Sequence, residues 1–219
     1  MATDLRPAEM LQSLQSVQVA IMAKAPIPGL AKTRLIPALG ASGAARLQRR
    51  LTRMTVACAL DAQLGVVTIW CAPDSRHRFF RALRRTTGVT LFQQSGGDLG
   101  ERMHTAFRLQ CVRGPVIVIG TDCPALRPAH LREAARALIA GEDAVFYPAE
   151  DGGYVLVGLR EPQPTLFADM AWSTSRVMSD TRARALAQGL RVRECETLWD
   201  VDLPEQLARL NMFLAKAGP

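Results

Sequence analysis

The stretch Val116-Ile117-Val118-Ile119-Gly120-Thr121-Asp122-Cys123-Pro124 decides the fold. Four consecutive aliphatic residues cannot present alternate positions to water, so they read as a strand buried on both faces, a central strand of a parallel sheet. Gly120 and Pro124 then bracket Thr121 and Asp122, and open α/β sheets place their ligands at the carboxyl ends of strands, where such loops lie. Asp122 is therefore the first candidate for chemistry.

Working outward, the strand belongs to an alternating β/α pattern without internal repeats. Residues 1–16 are polar and weakly helical and read as a loosely packed extension, followed by a single domain over 17–219. Val17 to Ala23 is a first strand, and a helix runs from about Ala41 to Leu64 with Leu47, Leu51, Met54 and Cys58 at spacings of three and four. Its Arg46, Arg49, Arg50 and Arg53 read as a solvated helix face. Val66 to Ala72 is a second strand, with Asp74 or Ser75 as cap of the next helix. Val89 to Gln93 is a third, and a helix after it ends near Gly114. Pro128 opens a helix reaching about Ala140. Strands follow at Ala144 to Ala149 and Tyr154 to Gly158. An irregular segment, a helix to about Gln188, a last strand at Leu190 to Cys195 and a final helix complete the chain.

Composition narrows the function classes. The chain has 219 residues, 48% of them hydrophobic, which suits one substantial core. Cys58, Cys71, Cys111, Cys123 and Cys195 are odd in number and lack CxxC spacing, against a disulfide framework or a zinc knuckle. His77, His104 and His130 have no partner at metal-binding spacing. No apolar run approaches the ~18 residues of a membrane span, and no signal-peptide core is visible, so a cytoplasmic protein without a membrane partner is expected. The net charge is +7, but the basic residues are dispersed and only 5% of residues are aromatic, which disfavours nucleic acid. Anionic small molecules such as nucleotides fit this charge better.

The kind of base is more informative than the total. Of 27 basic residues only Lys24, Lys32 and Lys216 are lysines, and two of these lie in the loop Lys24 to Leu35, which two prolines and Gly29 keep irregular. Lys24, Lys32 and Arg34 beside free backbone amides suit phosphate oxygens. Read as an exposed loop charge, Lys32 should be replaceable without loss of the fold. The Gly96-Gly97-Asp98 loop permits close backbone approach to a ligand, or makes an ordinary turn. Glu150-Asp151-Gly152-Gly153 is equally open to both readings. Separated strand-end carboxylates suit a hard divalent cation shared with phosphate. Asp202, with Glu205 three residues on and Pro204 between, also fits a helix N-cap with a capping-box partner. Walker, GxGxxG and GxSxG motifs are missing, so kinase-like ATPases, ordinary dehydrogenases and acyl hydrolases are disfavoured.

Six segments together resemble a known family. They are Pro26-Ile27-Pro28-Gly29 with Lys32-Thr33-Arg34-Leu35, Gly97 to Met103, Gly120 to Pro124, Glu150 to Tyr154, Trp172-Ser173-Thr174, and Asp200 to Glu205. The combination resembles bacterial glycosyltransferase-like proteins associated with arsenosugar biosynthesis and radical-SAM gene neighbourhoods, and it spans Val17 to the final helix. The resemblance implies the nucleotide-diphospho-sugar transferase fold, A-type glycosyltransferase-like, which molybdenum-cofactor and phospholactate nucleotidyltransferases also use. That fold is a three-layer α/β/α sandwich with a mixed, mostly parallel sheet. It further implies a nucleotide over the first loop, touching Lys24, Gly29, Lys32, Arg34, Gly97 and Asp98, and a divalent metal, Mg or Mn, between Asp122 and Asp202. Leu203 stands where related proteins usually have threonine, which leaves the carboxylates intact. The expected activity is metal-dependent glycosyl transfer from a nucleotide sugar to a small acceptor, with Asp151 and Lys32 in catalysis. Glu150, Gly152, Gly153, Trp172 and Ser173 would line the substrate pocket. Nucleotidyl transfer to a small phosphorylated substrate is the alternative, and a non-catalytic nucleotide-binding protein the third reading.

Overall fold

The computed structural model describes residues 12–216. Most of the expected extension, 1–11, lies outside these. The part that is described is packed rather than loose: Leu14 ends a short helical turn and is buried in the core.

One seven-stranded sheet contains β1 (Gln18–Lys24), β2 (Val67–Ala72), β3 (Thr90–Gln93), β4 (Val116–Ile119), β5 (Ala144–Pro148), β6 (Tyr154–Leu159) and β7 (Val192–Glu194), in the order β3-β2-β1-β4-β6-β5-β7. Only β6 runs against the others: it pairs antiparallel with both β4 and β5, while every other pairing is parallel. The main helices are α1 (Ile36–Asp61), α2 (Arg78–Thr87), α3 (Leu99–Gln110), α4 (Pro128–Ile139), α5 (Val177–Ala187) and α6 (Gln206–Lys216). No described helix is long and apolar enough to cross a membrane.

The period of the strands divides the core into layers. Val19, Ile21, Ile117 and Ile119 point to one face with residues of α1, α2 and α4, while Ala20, Val116 and Val118 point to the other with residues of α3 and α5. All four aliphatic residues of β4 are buried, as a strand covered on both faces requires. A third cluster joins Leu35 and Leu51 to Trp199, Val201 and Leu210, and fastens the C-terminal segment beside the loop after β1.

Helix ends follow local chemistry. In α1 the backbone at Gly40 (φ 67°, ψ 162°) breaks the helix, which explains the expected start at Ala41. Asp74 does not cap α2, as expected, but accepts from the Arg76 amide; His77 is the cap, its Nδ1 accepting from the Phe79 amide. Because β5 is parallel to β4, the β5–β6 turn lies at the same sheet edge as Asp122. An isolated bridge between Ala149 and Leu198 brings the segment before α6 to that edge as well.

Ile117 is fully buried in the middle of this sheet. Ile117→Ala should lower the stability measured by urea unfolding by about 2–5 kcal/mol. A loss below about 1 kcal/mol would contradict the central placement of β4.

Candidate functional site

Lys32 organises the carboxyl edge of the sheet. It takes a left-handed conformation (φ 50°, ψ 47°) at the head of the short turn Thr33–Leu35, and its side chain is only 4% exposed. The ammonium donates to the Val201 carbonyl at 2.6 Å and pairs with Asp122 Oδ1 at 2.6 Å and Asp202 Oδ1 at 2.8 Å. Its three N–H donors thus match three acceptors. Burial alone would push the pKa of this amine down, but Asp122 and Asp202 more than reverse that and hold it above the ordinary lysine value. The expectation of an exposed, dispensable charge is therefore corrected. Lys32 ties the first loop to a segment 170 residues away, and removing it should cost between the ~1 kcal/mol of an exposed pair and the ~3–5 kcal/mol of a buried one.

Asp122 follows β4, and Thr121 beside it is buried and accepts from Gln48 of α1 at 3.0 Å. Asp202 meets the same ammonium, so the two carboxylates face one point. The capping box with Glu205 does not form; instead Gln206 Oε1 accepts from the amides of Asp202 (2.6 Å) and Leu203 (2.8 Å), leaving the Asp202 carboxylate for Lys32. Asp200 is the site residue that sequence reasoning passed over. It is 9% exposed. Burial first, then Asp151, Asp202 and Asp122, push its carboxyl up to about 6. The signal was the Asp200-Val201-Asp202 alternation, which in extended chain puts two carboxylates on the same side around a buried valine.

Among the described residues no three His, Cys, Asp or Glu side chains converge as a ligand set. Asp122 and Asp202 nevertheless keep side chains about two-fifths exposed, at 41% and 38%. One or two carboxylates completed by substrate phosphates and water are the usual donors for Mg²⁺, so this pair fits such an ion without forming a cage.

The other expected residues fall around this point with different roles. Lys24 ends β1 and is exposed, as are Gly29 and Arg34. The loop carrying Gly97 and Asp98 is tied toward β1 by Gln94, whose amide donates to the carbonyls of Trp70 (2.8 Å) and Ala23 (3.4 Å). Asp98 caps α3, accepting from the Glu101 amide at 2.9 Å. Glu150 is engaged by Arg209 at 2.7 Å, and that guanidinium also lies 4.4 Å over the Trp199 ring. Asp151 is exposed and accepts from the Gly153 amide at 2.9 Å. At Gly152 (φ +89°) a Cβ would strike the Ser175 carbonyl, so this glycine lets the β5–β6 turn abut the segment with Trp172 and Ser173. Trp172 packs edge-on against Tyr154 at 6.4 Å, and a Cβ at Gly100 would lie 2.7 Å from its ring. Among the described residues, Tyr154 Oη and Trp172 Nε1 are buried without a hydrogen-bond partner.

The raised Asp200 carboxyl makes a signed prediction for chelator-treated protein. Between its unfolded value near ~3.9 and its folded value of about 6, the folded chain binds more protons than the unfolded chain, so this group makes stability fall as pH rises through that window. Asp200→Asn should therefore be more stable than the parent at pH 7–8 and nearly equal to it below about pH 4. Parallel pH profiles of thermal midpoints for the two proteins would refute the assignment.

Comparison with known proteins agrees with this geometry at the level of fold. A provisionally assigned nucleotide-diphospho-sugar transferase from Desulfovibrio desulfuricans G20 is similar over 90% of this chain and 88% of its own, at 27% identity and a TM-score of 0.79. CMP:2-keto-3-deoxy-manno-octonic acid synthetase, solved with CTP, shares the fold at 13% identity and a TM-score of 0.61, over 92% of this chain and 99% of its own. The 4-diphosphocytidyl-2C-methyl-D-erythritol synthase of Anaerococcus prevotii shares it at 9% identity and a TM-score of 0.59, over 91% and 98%. No protein of curated function matches the chain. A family profile matches residues 55–174, more than half of the chain and including β4, Asp122, the β5–β6 turn and Trp172. The chain belongs to that family, described as an uncharacterized protein conserved in bacteria (DUF2064).

Proposed function

We propose that the protein is a transferase acting on an activated nucleotide, and that it moves the sugar of a nucleotide sugar to a small acceptor. The observation that carries this reading is the clasp of Lys32 between Asp122 and Asp202 at the carboxyl edge of the sheet, beside a loop with exposed Lys24, Gly29 and Arg34. The likeness to the Desulfovibrio protein supports the same class.

In this proposal the loop from Lys24 to Arg34 receives the diphosphate. Phosphate oxygens meet exposed Lys24 and Arg34, while the Lys32 ammonium, already charged and saturated by Val201, Asp122 and Asp202, holds the two carboxylates in place and adds its field, so little reorganisation accompanies charge development on the leaving group. Asp122 and Asp202, with side chains about two-fifths exposed, would hold Mg²⁺ or Mn²⁺, which when bound would supply charge neutralisation for a nucleoside diphosphate. Asp151, exposed at the β5–β6 turn, accepts a hydrogen bond or proton from a sugar or acceptor hydroxyl. Trp172 and Tyr154 supply an apolar wall with unpaired donors beside that turn. The Gly97–Asp98 loop, tied toward β1 by Gln94, is assigned in this reading to the nucleoside attached to those phosphates.

Nucleotidyl transfer is the second reading. It is favoured by two of the chain's three lysines lying in the first loop, a suitable partner for a triphosphate, and by the names of the two synthetases that share the fold. The leaving group separates the readings. Metal-loaded protein given nucleotide sugars, with cell extract as acceptor source, should release a nucleoside mono- or diphosphate by mass spectrometry. Lys32→Ala, assayed where it remains folded, should be slower by roughly 10²–10³-fold. Pyrophosphate formed from a triphosphate, with no turnover of any nucleotide sugar, would reverse the ranking.

A further inference from the structure

Arg46 and Arg49 of α1, expected to lie on a solvated face, border a groove of about 690 Å³ whose other walls are His77, Arg78 and Phe79 at the start of α2 and the Pro26–Pro28 loop. Among the described residues, Lys32 and arginines in several other elements pair with carboxylates. No such pair involves Arg46, Arg49 or Arg78. The cause is visible in the sequence. Helix α1 has no acid before its last residue, Asp61, and α2 has none at all. Asp74, the acid that precedes α2, is engaged by Arg76 at 3.3 Å.

Three guanidinium groups around one concavity repel one another unless an anion lies between them. Arg49 is partly oriented, its guanidinium 5.7 Å over the Phe79 ring. The start of α2 adds the positive end of its backbone dipole, with no acidic residue in the first turn to offset it. Arginine forks match phosphate oxygens, and the volume is that of a small-molecule site. The groove has no series of stacking platforms for successive bases, because Phe79 is 5% exposed and lies beneath Arg49, which leaves His77 as the one other aromatic ring in its lining. A bilayer surface cannot enter such a concavity.

We propose that this groove binds a phosphorylated small molecule, with its phosphate held by Arg49 and Arg78 and its remaining part against Ile27 and Pro28. The site goes beyond the transferase reading: it shares the Pro26–Pro28 loop with the Lys32 clasp but uses none of its charged groups.

The test is calorimetric titration of the full chain with inorganic phosphate and a hexose phosphate, at low and moderate salt. The parent should bind the hexose phosphate, and Arg49→Gln/Arg78→Gln should weaken it by about tenfold or more, as expected for lost charge-assisted hydrogen bonds. Arg49→Lys/Arg78→Lys should recover only part of the loss, since lysine keeps the charge but not the fork. Asp151→Asn, in the transferase reading but not among the groove's walls, should leave this binding unchanged, which separates it from the transferase site. Saturation by inorganic phosphate equal to that by hexose phosphate would assign the groove to the free anion and remove the sugar contact from the proposal. No binding of either, binding lost in Asp151→Asn but kept in the double glutamine variant, or an arginine-dependent affinity for short RNA or anionic vesicles without one for small phosphates would each overturn it.

Discussion

A buried ammonium shared by carboxylates from two distant segments is the constraint around which the edge of this sheet is arranged. Lys32 cannot be charged and buried without partners, because desolvating an ammonium costs several kcal/mol. Its partners come from the end of β4 and from the segment before α6, so both must be held within hydrogen-bond reach of the first loop. The fold supplies this in several ways. The β4 register fixes Asp122, the backbone of Val201 donates to the Asp122 carbonyl at 2.9 Å, and Leu35, Leu51, Trp199, Val201 and Leu210 pack together beneath.

The same arrangement leaves a charge imbalance. One ammonium faces Asp122 and Asp202 directly, and nearby Asp200 has its carboxyl raised by burial and by Asp151, Asp202 and Asp122. A structural salt bridge does not call for surplus carboxylate, whereas a site that gathers a cation and an anionic substrate does. Two further contacts order the segments at this edge. Gly152 brings the β5–β6 turn against the segment carrying Trp172, and Gln94 fastens the Gly97–Asp98 loop toward the end of β1.

Much of this was legible in the residues because it depends on short-range patterns. The burial of β4 on both faces, the order of strands and helices along the chain, the long helix after Gly40 and the loops at strand ends follow from periodicity and from glycine and proline positions. What was hidden depends on contacts between distant segments. Nothing near Lys32 in the sequence announces that its partners lie 90 and 170 positions away, so it read as exposed. Asp202 satisfied a capping pattern that Gln206 displaces, because the carboxylate gains more from Lys32 than from a backbone amide. His77 capped α2 in place of Asp74, whose side chain was taken by Arg76. The arginines of α1 are exposed, as a solvated face requires; what the sequence hid is that Arg46 and Arg49 border a groove with α2 and the Pro26–Pro28 loop.

The central claim is that one ammonium couples the first loop to the last. Amide hydrogen exchange on the parent and on Lys32→Met, with residues 26–34 and 198–206 followed separately, tests it most directly. The account predicts that both segments lose protection together while β4 and the core of α1 keep theirs. Faster exchange confined to the first loop, with 198–206 unchanged, would contradict it.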